Sequence, residues 1–172
     1  MSEFEPAVKE LLEQEGGLID NATDPGQITN WGVSYRFYKS IFPEAMSDDI
    51  KNLTKLQAID IYKKYFWDEC KFSLFNSQII ANMAFDMFVN MGLAPSVKIL
   101  QRASRAVMAN KDAIADDGVL GEQTLNLLNN LSVIDLSIAI RAERAGYYRE
   151  IVLHNSVLKP NLEGWLNRAY RV

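Results

Sequence analysis

The chain predicts a mainly α fold that carries one small β-hairpin following its first helix. Apolar residues recur at three- and four-residue intervals along most of the 172 residues. Capping residues and helix stops punctuate that pattern. Only the stretch 18–28 sets a tight-turn signal between short apolar runs. An apolar fraction of 48% with 9 Gly and 5 Pro describes an ordinary globule, of a length that allows one domain or two lobes sharing a core.

In the first element Phe4, Val8, Leu11 and Leu12 make one apolar stripe, and Ser2 with Glu5 three residues on is a capping-box start. Glu15 lies four residues after Leu11 and three after Leu12, so it projects from that stripe. Gly16 and Gly17 then stop the helix. Apolar surroundings and the negative end of a helix dipole both favour a protonated carboxyl, so Glu15 is expected to be a ready general acid. Next, Asp24-Pro25-Gly26 lies between Leu18-Ile19 and Ile28 and suggests the hairpin. A hairpin returning past the helix end would hold Asp24 and Thr29 near Glu15, with Asp24 ionised in a polar turn. On local evidence alone, Glu15 also reads as a polar residue near a helix end and Asp24 as a plain turn former.

Helix is expected nearly everywhere else. Residues 33–42 form a short helix ended by Pro43, and Thr54 with Gln57 caps a helix through Trp67. Ser77 opens a mostly apolar helix to Met91, with Gly92 at its end. Asn82, Asp86 and Asn90 fall at four-residue steps on it, and a polar line on a buried helix must face a wet cleft or hydrogen-bond its neighbours. Pro95 starts a helix to about Asn110, 112–121 is a loop, and 123–131 is a short helix. Ser132 caps a long helix to about Leu153, and Pro160 breaks the chain before a last helix over 162–170.

Composition narrows the chemistry. A net charge of −4 argues against nucleic-acid binding. The single Cys70 and single His154 leave no internal disulfide and no zinc site of the usual kind, and no calcium loop is present, so neither metal nor cofactor is expected. The acidic start Met1–Glu5 lacks an apolar core of export length, and the apolar stretch 79–93 is short and interrupted. No secretory signal and no stable membrane insertion are expected. The late basic residues, Arg141 to Arg171, read either as a solvated helix face with salt bridges or as an approach to an anionic polymer.

Several motifs resemble one family in order. Glu15-Gly16-Gly17, Asp24-Pro25-Gly26 and Thr29-Asn30-Trp31-Gly32-Val33 are similar to the opening signature of glycoside hydrolase family 108, N-acetylmuramidases found among phage endolysins in the lysozyme-like superfamily. Asp86-Met87-Phe88-Val89-Asn90-Met91-Gly92 resembles its Asp-x-x-Val-Asn-x-Gly segment. The stretch Asp117-Gly118 to Thr124 resembles the Asp-Gly-x-x-Gly-x-x-Thr core of the peptidoglycan-binding-like region that follows, and Gly164-Trp165 with Arg168 resembles its Gly-Trp-x-x-Arg close.

The resemblance implies a lysozyme-like fold, with residues 1–94 as a catalytic region and 95–172 as a helical peptidoglycan-binding-like region integrated with it. It implies that Glu15 is the catalytic acid. The order Glu15, Asp24, Thr29 also resembles the Glu–Asp–Thr triad of phage-type lysozymes, where one more residue usually precedes the Thr. Asn30, Trp31, Tyr35, Asp86 and Asn90 are the expected substrate-binding residues. The aromatics, Tyr62 included, would pack on sugar faces or on the core, and Asp86 and Asn90 would support or line the site. Trp165 reads as a core anchor more than a sugar platform. The implied activity is hydrolysis of the β-1,4 bond between N-acetylmuramic acid and N-acetylglucosamine in peptidoglycan. Alternatives are a lytic transglycosylase, or a non-catalytic wall-binding or secretion-accessory protein on the same fold. The implied setting is a monomer made in the host cytoplasm, released with a holin and acting on the wall in the periplasm.

Overall fold

The structure is a computed structural model and describes residues 1–14, 17, 18 and 28–171. Glu15, Asp24 and the expected turn at Asp24-Pro25-Gly26 lie outside the described residues. The chain forms two compact units, Glu3–Ser73 and one made of Met1–Ser2 with Leu74–Val172.

In the first unit, helix α1 (Phe4–Gln14) buries Phe4, Val8 and Leu11 of the predicted stripe together with Ala7, while Leu12 is half-buried. Strands β1 (Thr29–Asn30) and β2 (Val33–Ser34) pair antiparallel, Thr29 opposite Ser34 and Asn30 opposite Val33. Their two-residue turn is Trp31-Gly32, with φ 52° and 78°. Two positive values in succession give the turn whose twist matches that of the strands. Val33 and Ser34, expected to open a helix, are therefore the return strand. Ser34 instead caps helix α2 (Tyr35–Ile41), its hydroxyl accepting from the Phe37 amide at 3.2 Å.

Helix α3 (Ser47–Lys51), which the apolar period does not announce, follows with the Asp49 carboxylate accepting from the Met46 amide at 2.7 Å. Helix α4 (Lys55–Tyr62) starts at the expected Thr54–Gln57 capping box. It does not continue as α-helix to Trp67; the segment Lys63–Asp68 is a π-helical turn in which Phe66 and Trp67 are both buried. Aromatic contacts organise this core: Phe37 on Phe66 at 4.7 Å, Tyr62 on Phe66 at 5.4 Å, and Trp67 against Phe72 and Phe4 at 5.6 and 5.8 Å.

In the second unit, Ser77 caps helix α5 (Gln78–Met91) as predicted. Gly92, at φ 87°, joins it to helix α6 (Leu93–Val107). Pro95 sits in the first turn of α6, where a missing amide hydrogen removes no helical bond. Helices α7 (Glu122–Asn130) and α8 (Val133–His154, capped by Ser132) follow. Pro160 lies inside a 3₁₀ turn, Ser156–Asn161, that leads into α9 (Leu162–Tyr170). Helices α6 and α9 pack on α8, and α5 packs on α6. Phe85, Met87, Leu100, Leu136, Ile140 and Tyr148 are among the side chains that fill this core. The packing boundary at Ser73–Leu74 thus places α5 with the later helices, while the resemblance divides regions at 94. No helix among the described residues is long and apolar enough to cross a membrane.

Candidate active site

The hairpin carries three of the sequence-predicted site residues, Thr29, Asn30 and Trp31, and α2 opens on a fourth, Tyr35; specific bonds within the first unit hold the hairpin in place. Ile28, almost wholly buried, accepts through its carbonyl from the Tyr35 amide at 2.8 Å, closing the base of the hairpin. Asn30 is 5% exposed, and its side-chain amide donates to the carbonyls of Ile50, Lys51 and Leu53 at 3.0, 3.0 and 3.1 Å. These carbonyls end α3 and start the next loop, and helix-end carbonyls need outside donors. Asn30 is therefore the bolt between the hairpin and α3.

Trp31 follows in the left-handed region, and its indole nitrogen donates to the same Leu53 carbonyl at 3.1 Å. Its own carbonyl accepts from the Tyr62 hydroxyl at 3.0 Å. Tyr62 is buried, so it fixes the turn from below. The Lys55 ammonium lies 5.8 Å from the Trp31 ring centre. Tyr35 donates to the Ala45 carbonyl at 3.1 Å, with the Lys39 ammonium 5.7 Å from its ring. Thr29, Trp31 and Tyr35 keep part of their surface open, and a half-open aromatic held by its polar edge suits a flat apolar sugar face. Leu53 and Lys55 had no signal in sequence; their part follows from where α3 ends and α4 begins.

Asp86 and Asn90 belong to the second unit, and their contacts are those of supports. Asp86 is buried, and Arg168 clasps its carboxylate with Nη2 at 2.6 Å and Nε at 3.1 Å, while Arg144 approaches the other oxygen at 2.7 Å. Burial pushes this carboxyl up, but the charges and hydrogen bonds of Arg144 and Arg168 outweigh burial and hold it below its ordinary value. Asn90 accepts from the Tyr148 hydroxyl at 2.6 Å, and Arg144 Nε donates to that hydroxyl at 3.1 Å. Trp165 stacks on Tyr148 with ring centres 5.3 Å apart. The Asp-x-x-Val-Asn and Gly-Trp-x-x-Arg segments are thus two halves of one network that ties α5, α8 and α9 together.

The third late motif also has a structural explanation. Gln101, 1% exposed on α6, donates to Asp117 at 2.7 Å and Thr124 at 3.2 Å, and accepts from the Gly118 amide at 3.0 Å. Gly118 has φ 74°, and a Cβ there would stand 3.0 Å from the Ala94 carbonyl, so only glycine suits it. Arg102 pairs with Asp116 at 2.9 Å.

The family model of glycosyl hydrolase 108 matches residues 8–92, from within α1 through the hairpin to the end of α5. Among solved structures, Brucella abortus SagA is similar at a TM-score of 0.74 and 22% identity, covering 96% of this chain and 92% of that one. At that identity the likeness carries the fold. A comparison with curated proteins finds no match. The fold is thus mainly helical and lysozyme-like, with a two-stranded hairpin after the first helix. Through residues 8–92 the chain belongs to glycosyl hydrolase family 108, and it is a glycoside hydrolase of the lysozyme, or muramidase, type with peptidoglycan as its substrate class.

Proposed function

We propose that this enzyme hydrolyses the β-1,4 bond between N-acetylmuramic acid and N-acetylglucosamine, with Glu15 as the general acid. One observation carries the reading: the family match over 8–92 contains the Glu15, Asp24, Thr29 spacing, and it ends its first part on a hairpin bolted in place by Asn30. Glu15 gives its proton to the glycosidic oxygen as the bond from the muramic C1 breaks. Asp24 stabilises the positive charge that develops at C1 or activates the water that adds there, and Thr29 positions that water or the carboxylate. Trp31 and Tyr35 pack on sugar faces. Asn30 holds the hairpin on which Thr29 and Trp31 stand, while Asp86 and Asn90 brace the helices of the second unit. Residues 1–94 supply the catalytic region and 95–172 a helical region for the wall. In this reading the protein is a monomeric endolysin, made in a host cytoplasm, released with a holin and acting in the periplasm.

The test compares the purified protein with Glu15→Gln on chloroform-treated Gram-negative cells, following turbidity. Clearing should slow by about 10² to 10⁴ in the variant. Equal clearing by both removes Glu15 from the chemistry, and binding without clearing by either favours a wall-binding role. Mass spectrometry of the released muropeptides should show reducing muramic ends; 1,6-anhydromuramic ends would make the enzyme a lytic transglycosylase.

A further inference from the structure

A cleft of about 370 Å³ opens between α6 and α8 in the second unit, a volume in the range of small-molecule sites. Its apolar lining is Ala94, Pro95, Ile99, Tyr147 and Ile151. Its walls carry Lys98 and Arg102 from α6 and Glu150 from α8. Arg102 is engaged by Asp116 at 2.9 Å. Lys98 and Glu150 carry no ion pair among the described residues. Asp117, the acidic group that feels Lys98, gives its carboxylate to Gln101 and to the Val119 amide. Glu150 also acts on Arg102 at longer range, so Lys98 and Glu150 are the two charges of this lining without a close ion pair, one of each sign beside apolar side chains.

The cleft is also built. The Asp116-Asp117-Gly118 stretch, which the hydrolytic reading leaves without a part in the chemistry, braces it at three points. Asp116 holds Arg102, Gly118 lies against the Ala94 carbonyl at the mouth, and Asp117 fixes Gln101, whose neighbours along α6 line the wall. A loop that only closed the gap between α6 and α7 would have no need to grip the cleft-lining residues.

We propose that this cleft binds the zwitterionic amino-acid end of a peptidoglycan stem peptide, its carboxylate at Lys98, its ammonium at Glu150 and its methylene chain over Ile99, Ile151 and Tyr147. A purely anionic ligand would meet Glu150 unpaired, and a purely cationic one would meet Lys98. The Tyr147 ring adds a face that favours an ammonium. This assignment rests on the peptidoglycan reading for the source of the ligand, while the chemistry of the cleft stands on its own. It gives the enzyme a hold on the peptide part of the wall, separate from its hold on the glycan.

The test titrates the full chain by NMR with three probes: the tripeptide L-alanyl-D-γ-glutamyl-meso-diaminopimelate, free meso-diaminopimelate, and peptide-free chitotetraose. The tripeptide should shift resonances of Lys98, Tyr147 and Glu150 saturably. Lys98→Ala and Glu150→Gln, both at solvent-reaching positions, should each weaken it about tenfold, as expected for one charged contact. Chitotetraose should leave these resonances unmoved. Free diaminopimelate binding as tightly as the tripeptide would confirm the zwitterion chemistry and assign it to the free amino acid. No saturable shift, or equal binding by the wild type and both variants, would overturn the proposal. Glu15→Gln should bind the tripeptide like the wild type, so failure of the catalytic assignment and failure of this site are read separately.

Discussion

Asp86 shows what one residue can decide in this molecule. Its carboxylate is buried between Arg144 and Arg168, and replacing it with Asn keeps the shape while leaving two guanidinium groups without their counter-charge. Breaking a buried pair from one side costs about 3–5 kcal/mol, and Asp86→Asn should lose that much in denaturant titration near neutral pH. The pH dependence follows from the direction of the shift. Because the folded value is held below the ordinary one, the contribution is complete above the unfolded value of about 3.9 and fades as pH falls through the folded value. The stability gap between wild type and Asp86→Asn should therefore be constant from pH 7 to about 5 and shrink below about 4. A gap that persists to pH 2 would mean that lost packing, and not charge, explains the effect. The need for partners was legible in sequence, since Asn82, Asp86 and Asn90 mark one line on an apolar helix. Their identity was not. Tyr148 and Arg168 lie 58 and 82 residues further on, and no local period links positions so far apart.

At the scale of elements, local signals worked where local chemistry decides. Thr54 with Gln57, Ser77 and Ser132 each cap the helix that their spacing announced, and the last helix runs over the predicted 162–170. They failed where the tertiary surroundings override preference. Trp at positive φ is uncommon, so Trp31-Gly32 does not read as a hairpin turn, yet Leu53 and Tyr62 hold Trp31 there from elements more than twenty residues away. The π-helical turn at Lys63–Asp68 has no sequence period of its own. The same dependence makes Asn30 the element-scale test. Asn30→Ala takes the side-chain donor from the Ile50, Lys51 and Leu53 carbonyls, of which Ile50 keeps the Leu53 amide and Leu53 the Trp31 indole, and should cost about 1–3 kcal/mol in thermal unfolding. Asn30→Asp, nearly the same size, turns an acceptor toward those carbonyls and should cost more than Ala. An Asp variant as stable as wild type would show that the hairpin does not depend on this bolt. On the roles proposed for Thr29 and Trp31, activity should fall with stability in both, because these residues belong to the same hairpin.

For the whole molecule, the sequence showed no Pro-, Gly- or Ser-rich linker and so gave no sign of where packing divides. The division falls at Ser73–Leu74, ahead of α5, because α5 carries the Asp86 and Asn90 side of a network whose other members are on α8 and α9. Composition cannot report that, since the boundary is set by ion pairs and buried rings formed over long separations. Each unit has its own buried core, which is the condition for separate cooperative unfolding. The tryptophans divide the same way: Trp31 and Trp67 fall in Glu3–Ser73 and Trp165 in the other unit. In a Trp165→Phe background, fluorescence reports the first unit while far-UV circular dichroism reports helices of both. Adding Asp86→Asn there should move the dichroism midpoint in urea by about 1–5 M, taking about 3–5 kcal/mol over a slope of about 1–3 kcal/mol/M. The fluorescence midpoint of Trp31 and Trp67 should stay within about 0.3 M of its starting value, since the lost charge lies outside their unit. If both midpoints fall together, the two units share one unfolding transition, and the Asp86 network stabilises the hairpin as well as the helices it joins.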